Sequence, residues 1–192
     1  MQTLATELLF KKLSIIFLLC LNISGFISCD LNGKTDRTWS FDEDTFNRMS
    51  EAWNNQNLQN YEFEYSISQV NPDSIKGNVT VTDGTGTLIL TVDNLLPEDE
   101  GYKDSFDFYS SKGKIEFKTI NEIYEYMEEI VSERKNDFNN KKLSYYRLNI
   151  QYDENNFIPA LIDEDLTLSK NQKKEIEQGS WDGSLYIKIT IK

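Results

Sequence analysis

Residues 61–68 read Tyr-Glu-Phe-Glu-Tyr-Ser-Ile-Ser, an unbroken alternation of apolar and polar side chains. Successive side chains of a β-strand point to opposite faces of a sheet, so this alternation predicts a strand with one buried face and one wet face. Sheets that are buried on one side only are typically antiparallel. The segment therefore sets the architecture that we expect for the whole domain.

Other segments extend this sheet. Asp83-Gly84 is a strong two-residue hairpin signal, and it lies between predicted strands at 78–82 and 87–92. The segment 146–152 and the closing segment 185–191 also alternate, so each is predicted to form a strand.

The segment 93–118 has a weaker pattern. Its acidic stretch 97–101 is interpreted as a surface loop. Spaced apolar residues at 106–108 and again at 115–117 predict two further short strands on either side of a turn.

Two segments carry the signals of a helix start. Ser40-Phe41-Asp42-Glu43 has the capping-box pattern, in which side chains at both ends satisfy free amides, and it predicts a helix over 41–57. Thr119-Ile120-Asn121-Glu122 has the same pattern, and an apolar stripe follows as far as Val131. A second helix is therefore predicted to end near 136–140.

The order helix, strands, helix, strands, without regular βαβ alternation, predicts an α+β fold. We expect an antiparallel sheet with two amphipathic helices packed on one face. Each half of the chain opens with a capped helix followed by antiparallel strands. That likeness raises a duplication of one unit, but we interpret it as coincidence.

The amino-terminal segment has the layout of a secretory signal. Lys11 and Lys12 precede the apolar run 13–21, which has nine residues. A helix that spans a membrane needs roughly 20 predominantly apolar residues, so a permanent transmembrane helix is not expected.

The end of this segment, Ser28-Cys29, resembles the bacterial lipobox, in which a small residue precedes a cysteine that is lipidated. Phe26-Ile27 departs from the strict form of that motif. We expect a signal peptide at 1–28, a lipidated Cys29 with a flexible tether over 29–39, and a single α+β domain over 40–192. The protein would then be anchored by lipid to a bacterial membrane in the cell envelope, on the periplasmic or surface side.

The cysteine positions agree with this interpretation. Cys20 lies inside the apolar run, Cys29 lies at the end of the signal-like segment, and no other cysteine occurs. Cleavage before Cys29 would leave a domain without a disulfide. The alternative is a disulfide between Cys20 and Cys29 in an uncleaved chain.

The composition excludes several classes of function. The chain has 32 acidic and 20 basic residues and a formal charge of −12, which opposes binding to nucleic acid. It has no histidine, so triads that depend on histidine and histidine–zinc sites are excluded for the chain acting alone. We expect neither an enzyme nor a cofactor.

A set of short motifs is distributed along the predicted domain. They are Trp53, 61–65, 79–84, 119–124, Tyr152-Asp153, Pro159 and Asp163. Together they resemble the bacterial lipoprotein family catalogued as domain of unknown function six-one-seven-four, over about residues 53–189. The chain departs from the family pattern at 156–159, where members often carry a glycine before the proline. The resemblance implies an envelope lipoprotein and offers no catalytic residue.

Acidic residues are the side chains to consider for catalysis or metal binding. A glycosidase needs two carboxyl groups about 5 to 10 Å apart. Asp153, Asp163 and Asp165 lie on or near a second predicted hairpin, in which the strand 146–152 turns at 153–156 into the segment 157–162. A carboxylate-based hydrolase that acts on envelope glycans is therefore the alternative function. The clusters 163–165 and 98–100 offer oxygen ligands for calcium, but neither has EF-hand spacing, and no metal is expected.

Aromatic residues favour a binding role instead. Tyr145 and Tyr146 are neighbours in a predicted strand, so they point to opposite faces and one of them is expected to meet solvent. Trp181 lies in a predicted turn. We expect Tyr145, Tyr146 and Trp181 to contribute to a non-catalytic surface that binds another protein or a small ligand.

Overall fold

Seven strands form one sheet in a computed structural model of the chain, which describes residues 37–68, 74–169 and 185–192. The strands are β1 (Thr38–Ser40), β2 (Tyr61–Ser68), β3 (Ile75–Thr82), β4 (Thr85–Val92), β5 (Leu143–Asp153), β6 (Ile158–Leu168) and β7 (Leu185–Ile191). The helices are α1 (Glu43–Gln56), α2 (Tyr102–Ser110) and α3 (Ile120–Asn139). The strand order is β1-β5-β6-β7-β2-β3-β4.

The predicted α+β class is confirmed, but the sheet is mixed. Its described neighbours pair antiparallel except for β1 and β5, which run parallel. A parallel pair needs a long connection, and more than 100 residues separate Ser40 from its partner Arg147. The structure also contains a third helix, α2, that was not predicted.

Strand β1 corrects the predicted extent of the tether, 29–39. Thr38 and Trp39 pair with β5, and the Trp39 ring stacks on Tyr146 at a centroid distance of 4.5 Å and packs on Phe138 at 5.5 Å. These contacts make Trp39 part of the domain, because they bury apolar surface of its large aromatic side chain and so stabilise the folded chain. The described part of the domain accordingly begins at Arg37.

Helices α1 and α3 share one hydrophobic core with the sheet. Phe46 of α1 packs on Tyr124 of α3 at 5.6 Å, and the Trp53 indole N–H donates to Asn121 Oδ1 at 2.6 Å. Alternate strand residues, such as Phe63 and Ile67, are 1% exposed and complete that core. No helix among the described residues is long and apolar enough to cross a bilayer.

The strand predictions at 61–68 and 185–191 are confirmed, and so is the hairpin at Asp83-Gly84. Asp83 has φ 49° and Gly84 has φ 74°. The hairpin turns that match the twist of a sheet need positive φ at both central residues, which explains why these two residue types mark the turn.

The helix starts were predicted with unequal success. Thr119 caps α3 as expected, since its Oγ1 accepts the Glu122 amide at 3.1 Å. At α1, however, Asp42 is the cap and accepts the Thr45 amide at 3.0 Å. Ser40 was the wrong choice because it belongs to β1.

The two short strands predicted within 93–118 are wrong. Helix α2 occupies 102–110 instead, and Tyr102, Phe106 and Tyr109 on it pack against the core. The segment 115–117 is held beside the sheet by the Tyr65 hydroxyl, which donates to Ile115 O at 2.9 Å and accepts the Phe117 amide at 3.1 Å.

The two halves of the chain also resemble each other in their topology. The unit α1-β2-β3-β4 and the unit α3-β5-β6-β7 each contain a helix followed by three antiparallel strands. Their strands run in the same order across the sheet, and β7 of the second unit pairs with β2 of the first. The likeness therefore extends from the sequence to the topology.

Candidate functional site

The residues predicted for a binding surface fall in different places. Tyr146 is 0% exposed, so its assignment to a surface is corrected: it is a core residue that stacks on Trp39. Tyr145 is half-buried on the other face of β5 and pairs with Thr167. Cys29 and Trp181 lie outside the described residues.

The face of the sheet opposite the core carries the candidate site. We define the open face as the outward-pointing side chains of five adjacent strands, β5, β6, β7, β2 and β3. Its main members are Tyr145, Arg147, Asn149, Leu161, Asp163, Asp165, Tyr186, Lys188, Thr190, Glu64, Ser66, Lys76 and Asn78. Each of these residues stands next to a buried residue in its strand, and successive side chains of a strand point to opposite faces of the sheet.

One part of the open face combines tyrosines with acids. Tyr186 is 38% exposed and lies directly across from Asp163 in the register of β6 and β7. Arg147 Nη2 is 3.2 Å from Asp163 Oδ2 and 3.8 Å from Asp165 Oδ2. The guanidinium therefore holds both carboxylates beside the aromatic side chains.

The acids proposed for hydrolysis or calcium binding are engaged in other contacts. Asp163 and Asp165 share Arg147, whereas Glu164 points into the core and is 3% exposed. Asp153 ends β5 and accepts the Asn155 amide at 2.9 Å, which lowers the pKa of its carboxyl group. Among the described residues, no three acidic or cysteine side chains converge in a group that could hold a metal ion.

Glu164 illustrates why the cluster 163–165 does not form one site. Its Oε1 accepts from Arg134 Nε of α3 at 3.1 Å. Burial raises the pKa of the Glu164 carboxyl, and the Arg134 charge opposes that rise. Successive residues of a strand point to opposite faces, so Glu164 is separated from its two acidic neighbours by the sheet itself.

A second part of the open face is basic. Lys76 and Lys188 lie on either side of Ser66 in a depression of about 360 Å³, whose lining also includes Asn78 and Thr190. Neither lysine makes an ion pair with any residue in the described ranges. Neither residue was among those predicted for a site, although both fall at polar positions of alternating strands.

Another concavity lies at the edge of the sheet, between the start of α1 and β5. It has a volume of about 370 Å³, and Phe41, Thr45 and Tyr152 contribute to its wall. The Tyr152 hydroxyl is buried and has no hydrogen-bond partner among the described residues. Burial and the nearby Asp42 carboxylate raise the pKa of this hydroxyl.

These features describe an α+β domain in which α1 and α3 share a core with the sheet, and in which the outward side chains of the sheet form a polar, partly aromatic open face. No family model, no curated protein and no solved structure matches the chain. The resemblance to a lipoprotein family thus rests on the sequence motifs alone.

Proposed function

We propose that the chain is a lipid-anchored protein of the bacterial cell envelope and that its domain is a non-catalytic binding module. The observation that carries the binding role is the open face, where Tyr145 and Tyr186 lie among charged and polar side chains instead of core residues. Tyrosine is favoured at interfaces because its ring supplies contact area while its hydroxyl stays hydrated.

The partner that we propose is another envelope protein with a basic surface. The chain has a formal charge of −12, and complementary charge increases the rate at which two proteins meet. Asp163 and Asp165 would present the acidic groups beside Tyr186. Arg147 would hold those carboxylates in position before the partner arrives.

The anchor would keep the domain close to the membrane. Seven residues, 30–36, separate Cys29 from the first described residue, Arg37. A fully extended chain spans at most about 3.6 Å per residue, so the tether could reach roughly 25 Å. A partner of the module would therefore lie in, or very near, the same membrane.

Labelling with radioactive palmitate tests the anchor. We expect the full chain to incorporate the label and Cys29→Ala to lose it. Cys20→Ala is the matched control and should keep the label, because position 20 lies in the signal peptide that would be removed. Label that persists in Cys29→Ala would overturn the proposed lipidation.

Photo-crosslinking in intact cells tests the binding surface. A photoreactive amino acid at position 186 or 145 should give the same adduct, whereas one at position 108 should not. Phe108 is a suitable control because it is 58% exposed but lies on α2, away from the open face. The purified partner should then bind the full chain, and Tyr186→Ala should weaken that binding. Equal binding by Tyr186→Ala, or the same adduct at position 108, would contradict the proposal.

A further inference from the structure

The basic part of the open face has a regular geometry. Lys188 of β7 is directly across from Ser66 of β2, and Ser66 is directly across from Lys76 of β3. Neighbouring strands lie about 4.8 Å apart, so the two lysine Cα atoms are roughly 10 Å apart on the same side of the sheet. Both long side chains can therefore reach a group that lies above Ser66.

The carboxylate nearest to the two lysines in the register does not balance their charge. Glu64 lies between Thr190 and Asn78 in the register, and its carboxylate already pairs with Lys192. Lys192 Nζ also donates to Asn78 Oδ1 at 3.3 Å. The single carboxylate in the lining of the depression is thus neutralised, and the charges of Lys76 and Lys188 are not.

Other described cations, such as Lys114 and Lys141, also make no ion pair with a described residue, so a missing partner alone does not mark a site. Lys76 and Lys188 differ in that they lie together in the lining of one depression. Two lysines that repel each other across one serine, inside a depression, would gain from an anion placed between them.

We propose that this depression binds a phosphate group, of the kind found in inorganic phosphate and in phosphate monoesters. Two ammonium groups would approach a dianion from opposite sides as point charges, which is the way lysine binds phosphate. The Ser66 hydroxyl at the floor and the Thr190 hydroxyl at the side supply further donors. The inference goes beyond the proposed function, since it assigns a different ligand class to another part of the open face, and it depends neither on the protein partner nor on the lipid anchor.

The test is a titration of the isotope-labelled full chain with inorganic phosphate at low ionic strength, followed through amide NMR signals. We expect the amides of Ser66, Lys76 and Lys188 to shift. Lys76→Gln and Lys188→Gln should each weaken binding about tenfold, because each removes one charge-assisted contact. The double variant should not bind detectably, and added sodium chloride should weaken binding to the unaltered chain.

Lys141→Gln is the matched control, because Lys141 is also exposed but lies in the turn between α3 and β5. It should bind phosphate as the unaltered chain does. A control that loses binding equally would overturn the proposal. So would an unaltered chain whose three amides do not respond, or a double variant that responds in full, provided that its thermal unfolding is unchanged.

A second arm identifies the source of the phosphate. Vesicles of phosphatidylcholine with phosphatidic acid carry the monoester on a lipid, and vesicles of phosphatidylcholine alone lack it. Lysine-dependent binding to the first kind only, together with the phosphate response, assigns a lipid headgroup. A lysine-dependent response to inorganic phosphate without vesicle binding assigns a soluble ligand. A failed titration alongside a persistent adduct at position 186 would refute this inference and leave the proposed function standing.

Discussion

Arg134 and Glu164 form an ion pair across the core, with Arg134 Nε 3.1 Å from Glu164 Oε1 and side chains that are 22% and 4% exposed. The pair joins α3 to β6 at an inward position of the sheet, between Ile162 and Leu166. Removing two charges from water costs free energy that their mutual attraction only partly returns. The pair is therefore expected to restrict how the helix docks on the sheet more than it stabilises the fold.

Loss of one partner should cost much more than loss of both. Arg134→Met leaves a buried carboxylate without its cation and should lower the free energy of unfolding by about 3 to 5 kcal/mol. Arg134→Met with Glu164→Leu should recover most of that loss. Urea unfolding of the two single variants and the double variant measures the coupling.

The same helix offers a control for this prediction. Lys135 pairs with Glu43 at 3.5 Å, but the two side chains are 56% and 61% exposed. An exposed pair contributes only about 0 to 1 kcal/mol, so Lys135→Met should change stability little. If Lys135→Met were as costly as Arg134→Met, burial would not be the reason for the effect.

Tyr146→Phe is expected to stabilise the protein. The Tyr146 hydroxyl is buried and has no hydrogen-bond partner among the described residues, while its ring stacks on Trp39. An unsatisfied buried polar group costs about 1 to 3 kcal/mol, so removing the oxygen and keeping the ring should gain about 1 kcal/mol. Thermal unfolding measures the change. A lower Tm for Tyr146→Phe would show that the hydroxyl has a partner outside the described residues.

Tyr65→Phe should have the opposite effect. The Tyr65 hydroxyl satisfies both the Ile115 carbonyl and the Phe117 amide, and the variant leaves these two backbone groups buried without a partner. We expect a loss of about 2 to 4 kcal/mol. The Phe117 amide should also exchange with solvent faster, which hydrogen exchange detects. Tyr146→Phe is the matched control, since it removes the same atom from a tyrosine that is equally buried.

Gly77→Ala, in the neighbouring strand β3, also tests the contact between the Tyr65 hydroxyl and the segment 115–117. A Cβ atom at Gly77 would overlap the ring of Tyr65, which is the partner of Gly77 in the register of β2 and β3. The ring would have to move away from 115–117, so we expect a loss of about 1 to 3 kcal/mol from overpacking. In the Tyr65→Phe background the cost should be smaller, because the hydrogen bonds are already absent. Equal costs in both backgrounds would contradict this coupling.

Features that depend on neighbouring residues were predictable from the sequence. The strand at 61–68, the turn at Asp83-Gly84 and the cap at Thr119 each follow from a local pattern. The course of 93–118 did not, because Tyr65 holds Ile115 from 50 residues away and α2 has no buried residue that would mark its face.

The candidate site shows the same division. The alternation predicts that Tyr145 and Tyr146 point to opposite faces, so that one of them meets solvent, but only the structure shows that Tyr145 is on the open face and Tyr146 in the core. The alternation does not reveal which strands become neighbours. Lys76 and Lys188 are 112 positions apart in the chain, and only the pairing of β7 with β2 and of β2 with β3 brings them to the same depression.

Alkaline pH should destabilise the protein through its buried tyrosines. Burial, with a further contribution from the Glu164 carboxylate, raises the pKa of Tyr126 to about 12. An unfolded tyrosine titrates near pH 10. The unfolded chain therefore loses this proton first, and the stabilisation is present in full below about pH 10 and is lost as the pH rises through about 12.

Urea midpoints measured between pH 8 and 12, with tyrosinate absorbance followed in parallel, should show this fall in stability. Tyr126→Phe should make the fall shallower while stability at pH 7 changes little, since the ring would still pack on Phe117 at 5.3 Å. Superimposable curves for the two proteins between pH 10 and 12 would mean that Tyr126 ionises equally easily in the folded and unfolded chain, and burial would then not be what protects it.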